Sequence, residues 1–157
     1  MASFCLAAVL LCALLLCFTG CGGGGSDETG DNSFNGSWDA QLNFIIDDCQ
    51  IVEPTLAGIV DVHSISQDGA GITLESLGGF GESLSGEASA DNSRFEVNQL
   101  LKGDLFGDGF FCVVRQSYSY ERLSREKATV LFKRTLECND GYLCESRAQG
   151  EAERNPA

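Results

Sequence analysis

Along residues 37–47 the apolar positions are the even ones, Trp38, Ala40, Leu42, Phe44 and Ile46, while Asp39, Gln41 and Asn43 between them are polar. That period of two is the spacing of a strand with one buried face. The same alternation runs through 112–122, where Cys112, Val114, Tyr118 and Tyr120 oppose Arg115, Ser117, Ser119 and Glu121. It recurs in 127–138, on Ala128, Val130, Phe132, Leu136 and Cys138. Shorter alternating runs predict further strands at 58–66, 71–76, 83–89 and 93–101, and a last one from about 142 to 153. No comparable stretch follows the helical period. The gaps carry turn chemistry: Gln67-Asp68-Gly69, Gly78-Gly79-Phe80-Gly81, Asp91-Asn92, Gly103-Asp104 with Gly107-Asp108-Gly109, and Asn139-Asp140-Gly141.

About eight short strands joined by short turns predict an all-β domain, a single antiparallel meander closed into an eight-stranded barrel over 36–154. A two-sheet sandwich is the alternative arrangement of the same strands. A barrel of eight strands is filled by its own side chains or holds one small ligand. Trp38, Tyr118 and Tyr120 are therefore the candidate lining residues.

The N-terminal residues follow another pattern. Phe4 to Phe18 is an apolar run, of signal-peptide length and short for a membrane-spanning helix. It ends in Phe18-Thr19-Gly20-Cys21, which resembles the lipobox of bacterial lipoproteins. The resemblance implies a signal peptide over 1–20, cleavage before Cys21, lipid on that cysteine and membrane attachment through it. Gly22 after the cysteine resembles the outer-membrane form of the sorting signal. Residues 21–35, with four consecutive glycines at Gly22–Gly25, read as a flexible tether, and 155–157 as a tail.

Of eight cysteines, Cys5, Cys12 and Cys17 fall in the signal and Cys21 takes the lipid. The remaining Cys49, Cys112, Cys138 and Cys144 predict two disulfides in an exported chain. A four-cysteine zinc site would call for C-x-x-C knuckles, which are absent. Strand parity and a five-residue loop point to Cys138–Cys144, leaving Cys49–Cys112. All four cysteines gather at one end of a meander, so the two crossed pairings stay open.

Charge is uneven. Between Cys21 and Asp91 there are thirteen acidic residues and no Lys or Arg, and from Arg94 onward ten of each sign. An acidic first half argues against nucleic acid and anionic lipid as partners and fits a cationic protein.

Gly36-Ser37-Trp38 opening the first strand and Arg154 closing the last resemble the signature of lipocalin- and avidin-like barrels. The resemblance implies that Trp38 and Arg154 meet where the barrel closes, in a cation–π contact.

Candidate chemistry is thin. His63 is the one histidine, without a Gly-x-Ser-x-Gly elbow to supply a serine, and reads as structural or surface-exposed. Residues 31–39 copy the first nine positions of an EF-hand loop, but Leu42 stands where a bidentate Glu is needed. The 78–81 glycines lack the Lys and Ser/Thr of a phosphate loop. Asp47-Asp48 is one carboxylate pair among many in this acidic chain. The sequence thus predicts no catalytic residue, metal or cofactor. It suggests a lipid-anchored, non-enzymatic barrel that binds a small apolar ligand or serves as an envelope surface module. The alternative is an inhibitor of a cationic protein, since membrane-bound lysozyme inhibitors are similar small disulfide-bearing barrel lipoproteins. An enzyme of unknown class ranks behind both.

Overall fold

The computed structural model describes residues 32–50, 58–78, 83–107 and 109–156. The expected signal peptide, Cys21 and the expected tether up to Asp31, together with Gly79 to Gly81, lie outside them. Eight strands form: β1 (Gly36–Asp47), β2 (Gly58–Asp68), β3 (Gly71–Ser76), β4 (Ser83–Ala88), β5 (Arg94–Gly103), β6 (Cys112–Arg122), β7 (Lys127–Cys138) and β8 (Leu143–Arg154). Each pairs antiparallel with the next, and β8 returns to β1, so the sheet is a closed barrel rather than a sandwich. Closure leaves no sheet edge unpaired.

Apart from Ile46, residues read as inward from alternation, among them Trp38, Ala40, Leu42, Tyr118, Tyr120, Val130 and Phe132, fill the interior. Trp38, Ala40, Leu42, Ile65, Ile72, Leu74, Leu84, Phe95, Val97, Tyr118, Tyr120, Val130 and Phe132 belong to one buried cluster. Its rings interlock: Phe95 stacks on Tyr120 at 4.7 Å, Tyr118 tilts onto Phe132 at 5.0 Å, and Trp38 meets Tyr120 edge-on at 6.1 Å.

The end where β1 begins is closed from below. Trp38 lies in register with Arg154, whose guanidinium carbon is 5.6 Å from the indole centre, the contact that the Gly-x-Trp signature implies. The folded body starts before Gly36. Phe34 is fully buried, its carbonyl accepts from Trp38 Nε1 at 2.9 Å, and Arg122 covers its ring at 4.2 Å. Gln67 ties down the same segment, accepting from Phe34 N at 2.8 Å and donating its backbone N–H to Asn35 Oδ1 at 2.5 Å. Two positions of the EF-hand-like run are thereby committed to closing the barrel.

At the opposite end the register corrects the expected disulfide pairing. The bonds are Cys49–Cys144 and Cys112–Cys138. Cys112 stands directly opposite Cys138 on neighbouring strands, whereas Cys144 faces Leu136, so the turn after β7 does not bring Cys138 and Cys144 together. A register shift between Phe44 and Ile46 completes the explanation. The extra residue of such a bulge reverses the inward–outward phase. Ile46, expected inside, pairs with outward Arg147, while Asp47 pairs with buried Ser146. Cys49, two residues on, keeps the inward phase and meets Cys144 on the adjoining strand. One disulfide therefore staples the β1–β8 seam and the other β6–β7.

A second, smaller apolar cluster surrounds these bonds, with Val114, Leu136 and Leu101 around the cysteines. Between the two clusters runs an inward polar row in register across five strands: Gln99, Gln116, Arg134, Ser146 and Asp47. Ser146 Oγ donates to Asp47 Oδ1 at 2.7 Å, and the adjacent Asp48 is exposed.

Candidate functional site: a buried polar chain and an exposed aromatic rim

Strand parity places Asp61 and His63 side by side on the inner face of β2, next to β3, whose last inward residue is Ser76. They join Tyr120 in a hydrogen-bonded chain. Tyr120 Oη lies 2.5 Å from His63 Nδ1, and His63 Nε2 is 3.1 Å from Asp61 Oδ2. Ser76 Oγ donates to the same Asp61 oxygen at 2.5 Å. The other carboxylate oxygen accepts from the backbone N–H groups of Val62 and Gly78, each at 2.7 Å. An ionised carboxylate only accepts, so His63 Nε2 carries the proton that faces it, and in the neutral imidazole Nδ1 accepts from the Tyr120 hydroxyl.

Burial pushes the Asp61 carboxyl up. The hydrogen bonds from His63 and Ser76, the His63 charge and the Gly78 N–H outweigh it and hold the group below its usual 3.8. Burial, then the charges of Tyr118 and Asp61, raise the Tyr120 phenol well above 10. The residue types of a hydrolytic triad are present in the wrong order. Ser76 bonds the acid rather than the imidazole, and the nucleophile's place is taken by a phenol that stays protonated near neutral pH. No member of the chain is more than 2% exposed. Its geometry suits an interior polar network whose lone pairs and protons are mutually satisfied.

Trp38, Tyr118 and Tyr120, the expected lining residues, do lie inside, packed ring against ring in the main cluster. Among the described residues no group of three or more His, Cys, Asp and Glu side chains gathers as metal ligands would.

The disulfide end differs from the rest of the surface. The β5–β6 loop exposes Leu105, Phe106, Phe110 and Phe111, and the neighbouring β7–β8 turn and first residue of β8 expose Tyr142 and Leu143, with Phe106 at 59% and Leu143 at 70%. The two segments are joined: Asn139 N donates to Phe111 O at 3.0 Å, and Phe111 N to Asn139 Oδ1 at 3.2 Å. Asp104 folds the first loop by accepting from Gly107 N at 2.8 Å and Gly109 N at 3.1 Å. Gly107 and Gly109 both have positive φ, which glycine adopts without strain. The Cys112–Cys138 bond lies at the root of both segments. Sequence reasoning took Gly103 to Gly109 as turn chemistry and missed this rim. The signal was available, since Leu105-Phe106 and Phe110-Phe111 are apolar residues in a glycine-rich loop that no strand parity can bury.

Two shallow grooves run along the outer wall. The larger, about 1010 Å³, is lined by Glu87, Glu96, Glu121 and Glu151 with Arg94 as its cation. The smaller, about 450 Å³, lies over β5–β7.

No protein-family model, curated protein or solved structure matches the chain.

Proposed function

We propose that the chain is a lipid-anchored, non-enzymatic β-barrel of a bacterial cell envelope, carried on the outer membrane through Cys21, that engages a partner protein with its aromatic rim. The observation carrying this reading is the set of six large apolar side chains exposed on two loops that a disulfide and paired hydrogen bonds hold together. Contiguous exposed apolar surface is costly to keep in water and commonly marks an interaction site. Aromatic anchors on loops already ordered lose little entropy on binding.

The described chain enters at the end closed by Phe34, whereas the rim is at the other end. The rings of Trp38 and Tyr120 pack on each other and Tyr118 packs on His63 and Phe132, which supports a surface partner over an apolar molecule held among them. The closed meander and the Trp38–Arg154 contact support kinship with lipocalin-like barrels.

A second reading is favoured by the larger groove. Glu87 and Glu96 face each other across β4–β5, and Glu121 and Glu151 continue the acidic lining. Like charges in register are unfavourable until a cation joins them, which suits a cationic protein such as a lysozyme.

Photo-crosslinking in cells expressing the full chain separates the two. A crosslinker at Phe106, Phe111 or Tyr142 is expected to give one discrete adduct, with none from the exposed Val60 of β2. An adduct from Glu96 alone, weakened by salt, selects the acidic groove. Equal labelling at Val60 and the rim contradicts both.

A further inference from the structure

The smaller groove concentrates positive charge on an acidic protein. Its outward side chains fall in two rows fixed by register. Asn98, Ser117 and Lys133 follow one another across β5, β6 and β7, with Leu100, Arg115 and Thr135 beside them. The first row continues onto β8, where Arg147 stands directly opposite Lys133. Two cations face to face on one sheet surface repel, and sequence offers no reason to juxtapose them.

Their local partners are weak or unevenly shared. Arg147 holds Glu145 at 3.1 Å, and Arg115 reaches Glu137 only at 3.7 Å, with both side chains more than half exposed. Such a pair contributes almost nothing and leaves the guanidinium free to turn to another anion. Lys133 makes no ion pair among the described residues. The hydroxyls of Ser117 and Thr135 and the amide of Asn98 add neutral donors between the charges.

We propose that this groove binds a phosphate-type oxyanion. Arg115 supplies the fork that matches two oxygens of a tetrahedral anion, Lys133 supplies point charge with Arg147 beside the groove on β8, and Ser117 and Thr135 donate from the floor. An anion placed there also relieves the Lys133–Arg147 repulsion. A volume of about 450 Å³ suits one phosphorylated head group. A lipid head group and a free phosphorylated molecule share this chemistry.

Thermal unfolding of the full chain tests the site, in sodium phosphate against sodium chloride at matched ionic strength. Tm is expected to rise with phosphate beyond chloride, since a ligand that binds only the folded state stabilises it as its concentration grows. Arg115→Ala with Lys133→Ala should abolish that difference, and Glu96→Gln on the acidic groove should keep it. Lys133→Gln alone, an exposed change, should weaken phosphate affinity about tenfold if the double variant does not fold, a change corresponding to the loss of one charged contact. Vesicles identify the source, using Cys21→Ala to remove any acyl anchor. Sedimentation with phosphatidylglycerol but not phosphatidylcholine assigns a lipid head group, and phosphate stabilisation without sedimentation assigns a soluble ligand. Equal Tm in phosphate and chloride, or an equal rise in wild type and double variant, overturns the proposal.

Discussion

Gln116 is 2% exposed, and neither its amide nitrogen nor its oxygen has a hydrogen-bond partner among the described residues. A buried amide without partners costs about 1–3 kcal/mol relative to a shape-matched apolar group. Gln116→Met should therefore raise unfolding stability by about 1 kcal/mol, read by urea titration. A loss of stability would show that the amide is bonded in solution. Asp61 makes the opposite case. Its folded pKa lies below the unfolded value, so its contribution is complete above that value and is lost as pH falls through the folded one. Urea titrations below pH 5 should show wild type losing stability faster than Asp61→Asn, which starts lower. Identical pH slopes would contradict the charged assignment. Alternation placed Tyr120 inside but assigned no face to Asp61 and read His63 as structural or surface-exposed; their meeting depends on which strands are neighbours, which no single strand's pattern reveals.

Among the elements, the β1–β8 seam concentrates what was and was not legible. All eight strands are visible as alternating runs, because each buries one face, and their closure follows from the meander. The bulge after Phe44 is not visible. Ile45 and Ile46 are both apolar, so no polar residue marks the change of phase that brings Cys49 to Cys144, while the expected Cys138–Cys144 pairing fails at the β7–β8 turn, where Cys144 stands opposite Leu136. Non-reducing peptide maps should show Cys49 linked to Cys144 and Cys112 to Cys138; a Cys138–Cys144 peptide would refute the register. The first bond closes a span of 95 residues and the second one of 26. In the chain-entropy account their removal costs roughly 4–5 and 3–4 kcal/mol. Gly150 holds the same seam. A Cβ there would lie 1.9 Å from Gln41 O, so Gly150→Ala forces the two strands apart. It should cost at least about 3 kcal/mol by urea titration, the tail reserved for steric and backbone clashes. A change within the ±0.5 kcal/mol of an ordinary surface substitution would contradict the close approach.

For the molecule as a whole, the two ends of the barrel are built for different tasks. Phe34, Gln67, Arg122 and Arg154 seal one end, and the stapled loops of the other display aromatics. Leu105-Phe106 and Phe110-Phe111 signal the rim in the sequence as apolar loop residues, but the place where that loop is held follows no periodicity. On the proposed reading, this barrel is exported and fixed to a membrane through Cys21, with its four remaining cysteines oxidised. Intact mass of the full-length product, extracted from the membranes of a Gram-negative host, tests all of it at once. The predicted mass is that of a chain beginning at a triacylated Cys21 and four hydrogens lighter than its reduced form, two for each disulfide. An uncleaved chain beginning at Met1 without acyl mass would contradict the anchor, and with it the envelope setting of the rim.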